Sequence, residues 1–455
     1  MSDSKLMLSI SGLRGIVGDS LNPEVAARFA AAVGSHFRQA TGKEHPLVVL
    51  GRDSRPSGLM IEQAAIAGLT ATGCRVVVLG IATTPSVAIM VDHLHADGGL
   101  VLTASHNPIM WNGIKTLRHD GVAPPPDQAA AIIERFHHGP LDYVDVQSLQ
   151  PNTRDETTAD VHIQRILPHV DVERIRSRKL KVVLDSVHGA GGPATAMLMQ
   201  ELGVELVHLY AQPTGQFPHT PEPTAENLTG LCEAVQEHNA DIGLAQDPDA
   251  DRLALVDQNG VYIGEEYTLA LCAEHVLSRT PGPVAANLST SRMLDDVAAR
   301  YGCTVHRTPV GEANVADAMK QHHAVVGGEG NGGIIFPPVI HVRDSLSGAA
   351  LILDLLAASG ESLSQLVRRI PAYSIVKDKL PVRDGVAENI GPRLERRFAG
   401  EKIDQQDGIR IDTADAWVHV RPSNTEPILR IIAEAADPET ARQLIKQVRE
   451  EIDQL

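Results

Sequence analysis

Three aspartates at alternate positions, Asp247, Asp249 and Asp251 in the stretch DPDADR, bring three carboxylates to one turn with no base between them. Like charges crowded in this way repel unless a cation joins them, and an all-oxygen donor set suits Mg²⁺. The opening positions imitate a calcium-binding EF-hand loop. However, Arg252 stands where that loop needs its glycine, and Gln258 where it needs its bidentate glutamate. Arg252 also argues against a merely solvated acidic turn, because an arginine beside a metal is a natural clamp for a phosphate shared between them.

Four further stretches carry residues suited to the same kind of ligand. In RPSNTEP, Arg421, Ser423, Asn424 and Thr425 lie in a turn bounded by prolines. A fork-shaped cation, two hydroxyls, an amide and free backbone N–H groups fit a dianionic phosphate. In GEGNGG, Glu329 and Asn331 sit on a backbone that glycines leave open, a carboxylate and an amide suited to sugar hydroxyls. Arg14 lies between Gly12 and Gly15, where a flexible backbone could deliver its guanidinium to a ligand. In LTASHNP, an apolar run ends on Ser105-His106-Asn107-Pro108. Pro108 has no amide hydrogen for a sheet and biases Asn107 away from helix, so the strand must leave as a turn. By contrast, GRDSR at residues 51–55 reads as a structural salt-bridge cluster at a strand end. DSVHGAGG only loosely fits G-x-G-x-x-G and no acid ends the next strand, which argues against a dinucleotide site.

The elements that must position these loops recur three times. PLVVLGRDSR, a helix over residues 58–72, GCRVVVLG and GGLVLTASHNP make one round. LKVVLDSVHG, GVELVHLY and ADIGLAQDPDADR make the second, with helices near 193–202 and 228–238. GPVAANLST, GCTVHRTPV and AVVGGEGNGG make the third, with helices near 292–301 and 315–322. Apolar strands alternating with helices predict mainly parallel, mixed sheets covered on both faces, whose ligands bind beyond the carboxyl ends of the strands. The fold class is therefore α/β: three related α/β domains and a smaller C-terminal α+β domain. The punctuation divides the chain into 1–155, carrying the serine loop; 156–258, the aspartate loop; 259–370, the glycine-rich loop; and 371–455, the Arg421 turn. One cleft could collect a loop from each.

Composition limits the partners. Forty Lys and Arg against 57 Asp and Glu give a net charge of −17, which opposes non-specific binding to nucleic acid or anionic membrane. An anionic ligand then needs a site that concentrates its own cations. No run approaches the ~20 apolar residues of a membrane span, and the N-terminus lacks a secretory pattern, so a cytoplasmic protein is expected. The four cysteines are far apart, with no C-x-x-C pair, and read as reduced, packed thiols. Close histidines come only in pairs, short of a third metal ligand.

TASHNP, DPDADR, GEGNGG and RPSNTEP, in that order and across essentially the whole chain, resemble the α-D-phosphohexomutase family: phosphoglucomutases, phosphomannomutases and phosphoglucosamine mutases. The resemblance implies a heart-shaped enzyme of four domains around a central cleft. It implies that Ser105 is a phosphoserine, and that Mg²⁺ binds a phosphoserine oxygen together with Asp247, Asp249 and Asp251. Arg14 and Arg252 would complement the phosphoryl group, and Lys115 would stand near the proton in transit. Arg421, Ser423, Asn424 and Thr425 would hold the unreactive phosphate, and Glu329 and Asn331 the sugar. The implied reaction moves a phosphoryl group between the 1- and 6-positions of a hexose phosphate through a hexose 1,6-bisphosphate, which also serves as activator; the implied molecule is a monomer or homodimer. This chain has Gly333 and Glu312 where many relatives have histidine, which leaves Lys115 and His106 as candidates for acid/base work. GGEGNGG is closest to archaeal-type phosphoglucosamine mutases, so glucosamine phosphate is the expected substrate, with mannose and glucose phosphates as alternatives. A sugar phosphatase of the D-x-D-x-T kind is disfavoured by Asp251 at its fifth position and by the separate serine loop; a non-catalytic sugar-phosphate sensor would need the loops without phosphoserine.

Overall fold

The computed structural model describes residues 6–381, 386–423 and 428–455. Its organising feature is one four-stranded pattern used three times. In the first unit, strands Arg75–Ile81, Leu47–Arg52 and Gly98–Leu102 run parallel in that spatial order, and Trp111–Arg118 returns antiparallel beside the third. The second unit repeats this with Glu205–Leu209, Lys181–Asp185, Ile242–Gln246 and Leu253–Asp257. The third does so with Val305–Thr308, Val284–Asn287, Val326–Glu329 and Gly333–Phe336. In every unit the connection from the last parallel strand to its antiparallel neighbour is the unusual loop: residues 103–110, 247–252 and 330–332. These loops occupy equivalent positions at the carboxyl ends of their sheets.

The helices start and stop where their termini can be satisfied. Pro23–Thr41 is capped by Asn22, whose side chain accepts the Val25 N–H at 3.0 Å, and it ends on Gly42 at φ +67°. Thr84–His93 is apolar nearly all round and is buried accordingly, so its interior is held by three units at once. A continuous apolar core runs from this helix through Leu198, Leu244 and Leu253 to helix Ser345–Ser359. Within it, buried His162 joins Ser86 Oγ at 2.8 Å and Asp344 Oδ2 at 2.9 Å, a polar link across the three units.

The fourth unit has its own core and an antiparallel sheet in the order Ser374–Pro381, Ile428–Ala435, Ala416–Pro422, Ile409–Asp412, Lys402–Asp404, backed by helix Pro438–Ile452. Its first and last-placed strands are too polar to read from hydropathy.

A second difference from the sequence reading concerns Arg14. It is not on a flexible glycine loop but in strand Gly12–Ile16, paired antiparallel with Trp111–Arg118. The glycines serve close approach instead: Gly12 has φ +120°, and a Cβ there would fall 2.0 Å from the Ile114 carbonyl oxygen. All four cysteines are free thiols, two of them buried.

Candidate active site

The serine loop is the most tightly determined element of the site. Ser105 has φ +49°, a left-handed conformation that a non-glycine residue holds only when its surroundings impose it. Arg55 imposes it. Its guanidinium, wholly buried and paired with Asp53 at 3.0 Å, donates to the carbonyls of Ser105 (2.6 Å), Asn107 (2.6 Å), Pro108 (2.8 Å) and Trp111 (3.1 Å). Thr103 donates to the same Asp53 at 2.7 Å and accepts the Ser105 N–H at 2.8 Å. GRDSR is thus a salt-bridge cluster, and one that holds the serine in place. Ser105, 2% exposed, donates its hydroxyl to Asp247 Oδ2 at 2.8 Å.

Asp247, Asp249 and Asp251 are fully buried, and each offers a carboxylate oxygen within 4.8 Å of the other two; they are the only such group among the described residues. Their loop is clamped from both sides. Thr84 donates its amide to the Asp249 carbonyl (2.9 Å) and its hydroxyl to Asp249 Oδ2 (2.6 Å). Ser345 donates its hydroxyl to the Ala250 carbonyl at 2.6 Å. Lys115 reaches Asp249 Oδ2 at 2.7 Å and Asp251 Oδ2 at 3.3 Å. Two oxygens, Asp249 Oδ1 and Asp251 Oδ1, are buried with no hydrogen-bond partner. Leaving a buried carboxylate oxygen unmatched costs about 1–3 kcal/mol or more, so two of them in an all-oxygen cluster fit a divalent cation.

The electrostatics follow from this crowding. Burial and the charges of Asp251 and Asp249 push Asp247 well above the carboxylate range. Burial acts the same way on Asp249, but the charge of Lys115 and the hydrogen bonds from Lys115 and Thr84 outweigh it and hold Asp249 ionised. Burial alone would lower Lys115, yet Asp249 and Asp251 keep its ammonium charged. His106, 3.3 Å from the Ser105 hydroxyl through Nδ1, is pushed down to about 2 by burial, Arg252 and Arg14. It is therefore neutral at physiological pH.

Above the triad opens a cleft of about 680 Å³ to which all four units contribute. Among the described residues, Arg14, Lys115, Arg252, Arg343, Lys377, Arg421 and Arg430 line it, seven cations against the four carboxylates Glu266, Glu312, Asp317 and Glu329. A chain of net charge −17 has gathered positive charge where an anion could enter. Arg14 donates to Asn107 Oδ1 at 3.0 Å, which ties it to the serine loop. Arg252 lies 3.6 Å from Glu222, and Glu222 is 3.9 Å from His106. Glu329 accepts from Asn287 (2.9 Å) and Arg343 (2.9 Å). Asn331 Oδ1, Arg252 Nε and Arg421 Nε are buried without a hydrogen-bond partner among the described residues, although Arg252 Nε lies 3.9 Å from Asp251 Oδ1. Arg421 and Ser423 enter from the fourth unit; Asn424 and Thr425 lie outside the described residues.

Four family models match in order: the three alpha/beta/alpha domains of phosphoglucomutase/phosphomannomutase over residues 6–141, 160–260 and 265–373, and its C-terminal domain over 375–451. The chain belongs to the phosphohexomutase family. It is 40% identical over 440 residues to a phosphoglucomutase/phosphomannomutase of Thermococcus kodakarensis, covering 96% of each chain. A protein of Methanopyrus kandleri named "probable phosphoglucosamine mutase" is 39% identical, covering 95% of each. The crystal structure of a phosphoglucomutase/phosphomannomutase family protein from Burkholderia thailandensis superposes with a TM-score of 0.86 at 28% identity, over 98% of both chains. This phosphohexomutase thus has the four-domain architecture that its repeated loops imply.

Sequence reasoning named Arg55 only within a structural salt-bridge cluster, without its hold on the serine loop, and passed over Thr84, Glu222 and Arg343. Thr84 sits in a TTP helix start, a capping signal that could have placed it at a helix N-terminus. The partners of Glu222 and Arg343 are distant in sequence, and no local pattern marks them.

Proposed function

We propose that this phosphohexomutase moves a phosphoryl group between the 1- and 6-positions of a hexose phosphate by way of a phosphoserine at Ser105 and a hexose 1,6-bisphosphate. The observation that carries this is the Ser105 hydroxyl 2.8 Å from a buried carboxylate triad, two of whose oxygens have no hydrogen-bond partner among the described residues, beneath a cationic cleft. The phosphoserine P–O bond breaks as a new bond forms to the sugar's free hydroxyl, whose proton leaves to a base; the bisphosphate then turns over, and the other phosphoryl group returns to Ser105. His106, neutral beside the serine, can take that proton, and Lys115, held as an ammonium by Asp249 and Asp251, can supply one to the Ser105 oxygen left behind. Arg14 and Arg252 offset charge on the moving group, Arg421 and Ser423 with Asn424 and Thr425 grip the other phosphate, and Glu329 and Asn331 orient the sugar. Asp247, Asp249 and Asp251, with a phosphoserine oxygen, would hold Mg²⁺. When bound there, the cation draws charge from the phosphoryl group and takes over from Lys115 the neutralisation of Asp249 and Asp251.

Glucosamine phosphate is the leading substrate, supported by the glycine-rich loop and by relatives named as phosphoglucosamine mutases. The name of the Thermococcus kodakarensis relative favours glucose and mannose phosphates as the second reading. The same reading divides the chain near residues 155, 258 and 370 and places it in the cytoplasm as a monomer or homodimer. A panel of glucosamine, glucose, mannose and N-acetylglucosamine 1-phosphates, each primed with its 1,6-bisphosphate and Mg²⁺, tests it alongside intact-mass measurement. One phosphate on Ser105, and a folded but inactive Ser105→Ala variant, are expected. Isomerisation by Ser105→Ala would overturn the phosphoserine, release of inorganic phosphate alone would indicate a phosphatase, and neither phosphorylation nor turnover would indicate a sensor.

A further inference from the structure

Gly333 and Glu312 meet at one side chain. Arg343 closes strand Ile340–Arg343, immediately before the helix cap Asp344. Its side chain runs back across Gly333, where a Cβ would lie 2.2 Å from Arg343 Cδ, so only glycine leaves it room. Beyond Gly333 the guanidinium fans out. Nε donates to Glu312 Oε2 at 2.7 Å, Nη1 to Glu329 Oε2 at 2.9 Å, and Nη2 to Asp251 Oδ2 at 2.6 Å. These acceptors come from the first turn of helix Glu312–His322, the end of strand Val326–Glu329, and the triad. Only a planar fork can serve three carboxylates in three directions; a lysine would present a point charge to one or two of them.

Arg343 is shared among three carboxylates, and Lys115, which also reaches Asp251, is itself shared with Asp249, so two cations serve four carboxylates and the cluster is short of positive charge. The hold of Arg343 on any one carboxylate therefore depends on what else neutralises the other two. Asp251 belongs to the triad, and Glu329 lines the cleft. A cation on Asp251 releases part of Arg343 to Glu329 and the ligand beside it, and a ligand that engages Glu329 changes what Arg343 offers Asp251. By thermodynamic linkage the two effects are equal.

The geometry points to Arg343 as a positioning residue that couples divalent-cation binding at the triad to sugar recognition at Glu329, in the space left by Gly333 and on the anchor supplied by Glu312. The inference rests on the functional reading above for the roles of the triad and Glu329. Arginine stays protonated at every accessible pH, so this position contributes no proton transfer and that work falls to other groups.

The test measures Mn²⁺ binding directly, by the electron paramagnetic resonance signal of free Mn²⁺, with and without saturating glucose 1,6-bisphosphate. In the wild-type protein the bisphosphate should change the Mn²⁺ dissociation constant by about fivefold or more, the lower end of typical coupling between sites. Arg343→Lys and Arg343→Gln should reduce that change to less than about twofold, near no coupling on the same scale, and raise KM for the preferred hexose phosphate. Gly333→Ala, which alters no charge, should do the same by displacing Arg343, and should add nothing in an Arg343→Gln background. Wild-type coupling in Arg343→Gln, no coupling in a wild-type protein that binds Mn²⁺ and turns over, or additive effects of Gly333→Ala and Arg343→Gln would each overturn the inference. A wild-type protein that neither binds Mn²⁺ nor turns over any member of the panel would instead sink the functional reading.

Discussion

Arg55→Lys is the substitution that most directly tests how the serine loop is held. Arg55 donates to four carbonyls, those of Ser105, Asn107, Pro108 and Trp111, and pairs with buried Asp53. Lysine keeps the charge but has three donors on one nitrogen, so at least two of those five acceptors lose their partner. At about 1.5–3 kcal/mol for a hydrogen bond to a charged group, the loop loses about 3–6 kcal/mol, more than the strain of about 1–3 kcal/mol stored in one left-handed residue. Ser105 should then relax from φ +49°, carrying its hydroxyl away from Asp247. Displacement of a reacting group by ~1 Å costs on the order of 10²-fold in rate, so kcat should fall by about that factor. The loop reports on itself through Trp111, since the only other tryptophan, Trp417, is fully buried. In a Trp417→Phe background, acrylamide should quench Trp111 more strongly once Arg55 is lysine. Unchanged quenching together with unchanged kcat would show that the loop holds its shape without the arginine.

Three further outcomes are expected. Asp249→Asn takes a carboxylate from the triad and from Lys115, and should weaken Mn²⁺ binding at least about tenfold, a second-sphere loss being worth that much already; an unaltered Mn²⁺ titration would remove Asp249 from the ligands. Arg421→Ala should raise KM by about 10- to 100-fold, the equivalent of a charged hydrogen bond, and an unchanged KM would refute its phosphate-gripping role. Burial holds His419 at about 4, where it links Ser289 Oγ to the Asp407 carbonyl. The unfolded chain therefore takes up a proton below about pH 6.5 that the folded chain refuses until about pH 4. Stability is complete above that range and falls through it, by about 2 kcal/mol at pH 5. His419→Gln should flatten that part of the urea-denaturation profile between pH 7 and 4.5, and an identical slope would contradict it.

The sequence by itself determined the threefold strand-and-helix pattern, because period and punctuation are local properties. It also determined which loops matter, because three alternating aspartates, or a serine followed by His-Asn-Pro at a strand end, are legible without neighbours. The cationic cleft followed as an expectation from a strongly negative chain with Arg14, Arg252 and Arg421 in three of its candidate stretches. Only the tertiary structure decided what holds those loops. Arg55 lies 50 residues from Ser105, Thr84 lies 165 from Asp249, and Arg343 lies 92 from Asp251. Their partners are set by which strands end side by side within a sheet and by how separate sheets stack, neither of which leaves a periodic trace along the chain. The same reason explains Arg14, whose flanking glycines look like a flexible loop and are in fact a close-packed strand. It also explains Gly333, whose missing side chain has meaning only because an arginine from the next strand fills the space.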